Sequence, residues 1–490
     1  MLIVGAEVGG RPGTDVRVAG DRVAEVAPGL RRSPGEPTIE ARGGALIPGL
    51  HDHHVHLRSL AASRASVAVG PPDVTDRAGL AAVLRRADGR AGPGDWIRAV
   101  GYHESVAGPL DRTVLDALVP DRPLRVQHRS GELWFLNTPA LAAAGLGTPS
   151  ARGPAREAVA RGPVERDGGG RDRVEPDGVE RDRDGQATGR LWRADGWLAT
   201  VVPAPPLDLD DVSRDAAALG VAGFTDADPE RSQAGVDALQ AAAVAGELRQ
   251  RVVLMSAGGL DIDPAAGLAA GPRKLLLDDA TLPALDDLAA TIVAAHGRGE
   301  PVAVHCVTRL QLVITLAALA QAGPHAGDRI EHAAVVPPEL RAELRRLGVT
   351  VVTQPNFVAE RGDQYLADVD EADVDLLYPC ATLRAAGIPV AGGTDAPFGR
   401  PDPWAAMRAA VERRAPSGAV VGGHERIGAR AALGLFLGHP DDPALERRVQ
   451  HGAPADLCLL DRPLAPALAV LSSDLVALTV IGGRVRADNR

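Results

Sequence analysis

Four of the 13 histidines fall within six residues: His51, His53, His54 and His56 in the segment PGLHDHHVHL. In an extended strand, side chains two residues apart point the same way. His54 and His56 therefore share one face, and His51 and His53 share the other. Converging imidazoles are a natural zinc site, since zinc takes nitrogen, thiolate and carboxylate donors. A lone His-x-His pair is an undemanding pattern and also occurs in loops that are merely histidine-rich. Three later residues strengthen it. His305 ends PVAVHCV, His332 ends RIEHAAV and Asp395 ends PVAGGTDAP. Singly, each has an ordinary explanation, a hydrogen-bonded core histidine or a helix N-cap. Together they add two imidazoles and a carboxylate to the pair.

The chain holds one lysine, Lys274, against 52 arginines. Arginine can replace an exposed lysine, so the survivor points to chemistry that guanidinium cannot do. Lys274 opens the apolar run KLLLDD. A buried, neutral amine can add CO₂ and become an anionic carbamate able to bridge two metal ions, and burial lowers a lysine pKa in the required direction. An ion pair with Asp278 or Asp279 is the alternative, though arginine would serve there equally well.

These groups need a scaffold that brings distant segments to one rim. The 490 residues are 45% hydrophobic and 24% charged, an ordinary globular balance. From Ala45 onward eight strand candidates alternate with helix-like stretches: ALIPGLHDHHVHL, GVAGFTDAD, RVVLMSA, RKLLLDD, PVAVHCV, RIEHAAV, TVVTQPNF and PVAGGTDAP. An eightfold alternation predicts a (β/α)₈ TIM barrel, whose chemistry sits at the C-terminal ends of its strands. Both chain ends read as short strands with Gly and Pro turns. They predict a small β-sandwich from 1–45 plus 437–490, or else two separate edge hairpins. The barrel is then 46–90 plus 205–436, with 91–204 inserted after its first strand. Within the insertion, 151–190 is rich in Arg, Asp, Glu and Gly, and reads as a mobile surface tract, or alternatively a lid.

The net charge of −11 and 3% aromatic content give no reason to bind nucleic acid or an anionic membrane. Cys306, Cys380 and Cys458 are far apart and odd in number, which reads as buried thiols in a reducing cytoplasm rather than a disulfide framework. The first residues lack the pattern of a signal peptide. Self-association stays open.

The assembled motifs resemble the amidohydrolase superfamily: His-x-His on strand one, lysine on strand four, histidines on strands five and six, aspartate on strand eight. Closer still, PGLHDHHVHL, PDRPLRVQHRSGELWFLN, RKLLLDD, PVAVHC, DRIEHA, TQPNF, GIPVAGGTDAP and DPWAAM resemble the amidohydrolase-3 branch of YtcJ-like and N-substituted formamide deformylase-like proteins. The resemblance implies His54, His56, Lys274, His305, His332 and Asp395 as ligands of two divalent metals, zinc first among them, bridged by carbamylated Lys274. It implies hydrolysis of an amide-type C–N bond, of an N-acyl or N-formyl amine, by metal-bound hydroxide. Asp395 is then the proton carrier, and His332 helps to hold the tetrahedral intermediate. Trp134, Asn137, Gln354, Asn356 and Phe357 are the substrate-pocket candidates, although core and loop packing would explain them as well.

Three segments depart from the branch. SGE stands at 130–132 where SGH is usual, HCVTR at 305–309 where HxxGD is usual, and DDA at 278–280 where DGS is usual. They put the substrate in question and leave the ligands intact. Two other readings compete, a mononuclear heterocycle deaminase and a catalytically silent barrel scaffold. The first usually carries a Glu three residues after the strand-five histidine, where Thr308 stands, and does not need Lys274. The second typically loses ligands, and this chain keeps all six.

Overall fold

All eight apolar runs form strands of one parallel sheet, and they follow one another around it in chain order. They are β1 (Leu50–Val55), β2 (Val221–Asp226), β3 (Arg251–Ser256), β4 (Leu268–Leu275), β5 (Val302–Cys306), β6 (Arg329–His332), β7 (Thr350–Thr353) and β8 (Val390–Gly392). The computed structural model describes residues 1–147, 178–202, 208–229 and 231–490. These divide into a unit of Met1–Ala61 with Asp208–Arg490 and a second unit of Ala62–Leu207.

The sheet closes beyond β8. The Asp395 N–H donates to the His54 carbonyl and the His56 N–H to the Ala396 carbonyl, both at 2.8 Å. Gly393 permits this approach, because a Cβ there would lie 2.5 Å from His54 Cβ. Every residue of β1, β2, β6, β7 and β8 is buried. Strands covered on both faces read as continuous apolar runs, which made these segments legible. Helices follow most strands, among them Gln233–Ala245 after β2, Leu285–His296 after β4 and Arg309–Ala322 after β5. Between β3 and β4 the described chain has only a 3₁₀ turn, Pro264–Ala266.

The two chain ends build two four-stranded sheets. One holds Leu2–Val8, Arg11–Ala19, Arg22–Ala27 and Thr38–Glu40; the other holds Leu46–Pro48, Leu457–Leu460, Val476–Ile481 and Arg484–Asp488. Ile3, Val16 and Val23 of the first share one buried cluster with Leu457, Leu459, Leu478 and Val480 of the second. The sheets thus cover each other's apolar faces.

The second unit is a six-stranded mixed sheet. Its boundary differs from the expected residue 91. Leu80 and Leu84 of the helix Arg77–Arg90 lie in one core with Ile97, Leu124 and Val126, so that helix belongs to the inserted unit rather than to the barrel. The charged tract at 151–190 differs in part as well. Val179–Arg181 and Ala187–Trp192 pair as an antiparallel hairpin, while 151–177 lies outside the described residues. No helix among the described residues is long and apolar enough to cross a membrane.

Candidate active site

His54 is buried near the end of β1, and His56 follows the strand, partly exposed. Their rings lie 5.4 Å apart on one face, while the rings of His51 and His53 lie 4.5 Å apart, tilted by 35°. The second pair is structural on the His51 side, where Nε2 meets Thr225 Oγ1 at 2.9 Å. The alternation expected of an extended strand therefore holds.

Lys274 corrects one expectation. It does not open its strand but is the penultimate residue of β4. The leading residues LAAGPR contain Gly and Pro and are partly exposed, which hid the strand's first half. The shift moves Lys274 to the C-terminal rim. Lys274 pairs with Ala303 of β5, two residues before His305, and β5 pairs with β6 so that Cys306 faces His332 and His305 faces Glu331.

The six expected ligands divide around Asp395. Its Oδ1 lies 3.2 Å from His56 Nε2 and 3.6 Å from His54 Nε2, and its Oδ2 lies 3.8 Å from His332 Nδ1. The ring of His332 is 4.7 Å from that of His54 and 4.6 Å from that of His305. One donor atom from each of His54, His56 and Asp395 can be chosen so that all lie within 4.8 Å of one another.

His332 and Asp395 have φ of +69° and +55°. Non-glycine residues are uncommon there, and such strain persists only where the surroundings impose it. At His332 the Ala333 N–H closes a tight turn onto the Glu331 carbonyl at 2.9 Å. At Asp395 the bonds that close the barrel hold the loop. Asn356 Nδ2 adds a bond to the Thr394 carbonyl at 3.0 Å.

Burial sets the charge states. It pushes His54 and His332 well below the ordinary imidazole value and His305 down to about 3, helped by Lys274 and neighbouring imidazoles. Neutral imidazole is the ligand form. Burial also lowers the Lys274 ammonium, against the opposing pull of Glu331 and Asp395. His54 Nε2, Lys274 Nζ and Asp395 Oδ1 are buried and meet no partner in hydrogen-bond geometry among the described residues. Buried polar atoms are normally satisfied. Three orphans that include an imidazole, an amine and a carboxylate, beside further imidazoles, fit a bound divalent cation.

Several residues that orient the candidate ligands escaped sequence reading. Glu331 bonds His54 Nδ1 and accepts from Arg329 Nε at 2.5 Å, while Arg329 Nη2 donates to the His53 carbonyl at 2.7 Å. With Nδ1 engaged, His54 presents Nε2. Arg329 and Glu331 stand two apart in β6, so their shared face was readable as R-x-E inside an apolar strand. Asp52 Oδ1 accepts the Thr394 N–H at 2.9 Å and Oδ2 the Thr394 hydroxyl, tying β1 to the Asp395 loop.

The expected pocket residues divide. Gln354 Oε1 lies 2.8 Å from His332 Nδ1, so it orients a ligand candidate and turns Nε2 the other way. Phe357 packs in a buried cluster with Ala334, Val335 and Tyr378, with partly buried Phe398 against it. Phe398 in turn contacts the His56 ring edgewise at 5.4 Å. Asn137 corrects its assignment: fully buried in the second unit, it caps the helix Thr138–Ala143 and bonds the carbonyls of Val119 and Arg122. Trp134 is likewise core there, with Nε1 donating to Asp195 at 3.0 Å and the guanidiniums of Arg98 and Arg125 over its ring. Thr308, at the HCVTR departure, caps the helix Arg309–Ala322 in a capping box with Gln311 and donates to Asp279.

Residues 37–487 match the sequence profile described as the amidohydrolase family. The chain is 25% identical to the N-substituted formamide deformylase of Arthrobacter pascens, with 96% of this chain and 94% of that one covered. It is 24% identical to YtcJ of Bacillus subtilis (strain 168), covering 78% and 76%. Its fold is similar to the crystal structure of an uncharacterized metal-dependent hydrolase from Pyrococcus furiosus, with a TM-score of 0.66 at 19% identity over 94% and 98% of the two chains.

Proposed function

The chain belongs to the amidohydrolase family, and from that premise we propose that it is a metal-dependent hydrolase of an N-acyl or N-formyl amine. The observation that carries this reading is the gathering of His54, His56 and Asp395 around buried, unsatisfied donor atoms. His54, His56 and Asp395 would hold one divalent ion, with His305 and His332 available to a second. A bound zinc-class ion supplies a Lewis acid for the amide carbonyl and makes water ionise near neutral pH.

The chain's own residues supply the rest. Lys274 Nζ adds to CO₂, forming an N–C bond and losing a proton, and so turns an orphaned amine into an anionic oxygen donor. Asp395 takes the proton of the attacking water and passes it to the leaving nitrogen. Glu331 and Gln354 fix the tautomers of His54 and His332, so that both present Nε2. The Phe357–Phe398 cluster offers an apolar wall beside His56. Thr308 is committed to a helix cap, which weighs against the deaminase reading, where that position carries a proton shuttle. Buried, unpaired Cys306, Cys380 and Cys458 are in keeping with a reducing compartment.

Turnover of zinc-loaded protein on a panel of N-formyl and N-acyl amines, against cyclic ureas and aminopurines, tests the proposal. Amine release from the first group only, abolished by a chelator, is the expected result. Ammonia release from the aminopurines alone would replace it with a deaminase.

A further inference from the structure

A second group of metal-capable side chains lies wholly within the inserted unit. Two parallel neighbouring strands, Ile97–Tyr102 and Leu124–His128, end side by side with Tyr102 opposite His128. His103 follows the first strand, and Glu104 comes next. Ligand atoms of His103, Glu104 and His128 lie within 4.8 Å of one another. His128 Nε2 is 3.1 Å and His103 Nε2 3.8 Å from the same Glu104 oxygen, Oε2.

The two imidazoles are held in the same way. Each belongs to a His-x-Ser triplet, and each Nδ1 is engaged by the serine two residues on. Ser105 Oγ is 2.9 Å from His103 Nδ1, and its N–H donates to that nitrogen at 3.2 Å. Ser130 Oγ is 2.8 Å from His128 Nδ1, and its N–H donates at 3.1 Å. Both rings are therefore fixed with Nε2 directed at one carboxylate oxygen. The histidine side chains are 14% and 17% exposed and Glu104 43%, so the cluster is pre-ordered yet open to solvent.

We propose that His103, Glu104 and His128 form a divalent metal site of the inserted unit, separate in its ligands from the barrel centre. Two imidazoles and one carboxylate select a zinc-class ion over magnesium or calcium, which prefer all-oxygen shells. Donors sharing a tetrahedral zinc stand about 3.3 Å apart, from zinc–donor bonds near 2 Å. The 3.1 and 3.8 Å separations bracket that edge. On binding, each Nε2 loses its proton to solvent and Nδ1 takes one up. The backbone N–H of the exposed serine then releases Nδ1 to pair with water, and the serine hydroxyl accepts the new ring N–H. Three protein ligands leave a coordination position for water or a small anion.

The test compares zinc content of the full chain with that of the His103→Ala/His128→Ala variant at fixed free zinc. Wild-type protein should hold about one equivalent more, and Glu104→Gln should weaken that equivalent by roughly tenfold or more. Cobalt substitution should give a visible tetrahedral absorption that the double variant loses in part. Wild-type protein alone supplies a second measurement: zinc should protect His103 and His128 from diethyl pyrocarbonate, read peptide by peptide. Equal zinc content in wild type and a folded double variant would overturn the site, as would unaltered modification of both histidines.

Discussion

Asp395 Oδ1 lies 3.2 Å from His56 Nε2, while its second oxygen faces His332 across 3.8 Å. One carboxylate thus stands between the His-x-His pair of β1 and the histidine of β6. Its backbone is strained at φ +55°, and the loop is pinned from both sides by the His54–Asp395 and His56–Ala396 bonds. A group held this tightly suits a proton carrier, which must meet both the water and the leaving nitrogen. Asp395→Asn keeps the size and removes the acceptor. Steady-state kinetics at full metal content should show kcat lower by roughly 10²–10⁴. A near-normal kcat would mean that the proton travels by another route.

Glu331 joins the His54 ring to a fully buried guanidinium. With side chains 0% and 2% exposed, Glu331 and Arg329 form a desolvated pair. Glu331→Gln should lower zinc affinity roughly 10- to 100-fold, the usual cost of losing a ligand's supporting carboxylate. It should also destabilise the fold by about 3–5 kcal/mol, since Arg329 is left buried without its counter-charge. Chelator competition and calorimetry read the two effects separately. Unchanged zinc affinity would leave Glu331 a purely structural partner.

The candidate ligands His54, His332 and Asp395 could be picked out because they lie at or close to the ends of apolar runs whose strands are buried throughout. What such a run does not encode is its own beginning, so Lys274 read as opening a strand that in fact starts at Leu268. The supporting groups were hidden for a different reason. Glu331 and Arg329 look like a surface ion pair in sequence, and only closure of β1 against the far side of the barrel brings His54 and His53 to them. Asn137 misled in the opposite sense. A polar residue beside a tryptophan reads as a pocket, yet an Asn before Thr-Pro is equally a helix cap, and its four hydrogen bonds are all internal.

Buried histidines give the metal-free protein an acid weakness. His51, His53, His54, His305 and His332 all titrate below the ordinary value of 6.5 in the fold, His305 at about 3. Below pH 6.5 the unfolded chain therefore binds more protons than the folded one, so stability falls as pH drops from 6.5 toward 3. Asp52, Asp226 and Glu360 act in the opposite sense, since burial raises all three, Asp52 from 3.8 to about 7, and the folded state takes up their protons first. The five imidazoles outnumber these three carboxyls, and four of the five are pushed well below 6.5 by burial. The Tm of metal-stripped protein should be clearly lower at pH 5.5 than at pH 7.5, and bound zinc should be released over the same interval. A Tm that holds steady between these values would show that the five rings are not neutral in the fold.

Lys274 is the only lysine in the chain, so amine-directed reagents report on it and the N-terminus alone. Burial holds its amine toward the neutral form, and Nζ meets no hydrogen-bond partner among the described residues. If it carries a carbamate, metal-loaded protein should resist acylation at Lys274. Removing metal and CO₂ should restore reactivity, read by peptide mass. Lys274→Arg keeps a positive charge but cannot form a carbamate, so activity should vanish. Lys274→Gly opens space for formate, acetate or propionate, and any of these that restores part of the rate would place a carboxylate where the carbamate stood. Wild-type turnover by Lys274→Arg would refute the bridging role. It would leave His54, His56, His332 and Asp395 as a single-metal centre, with the Lys274 amine near Glu331 and Asp395 serving only as a counter-charge.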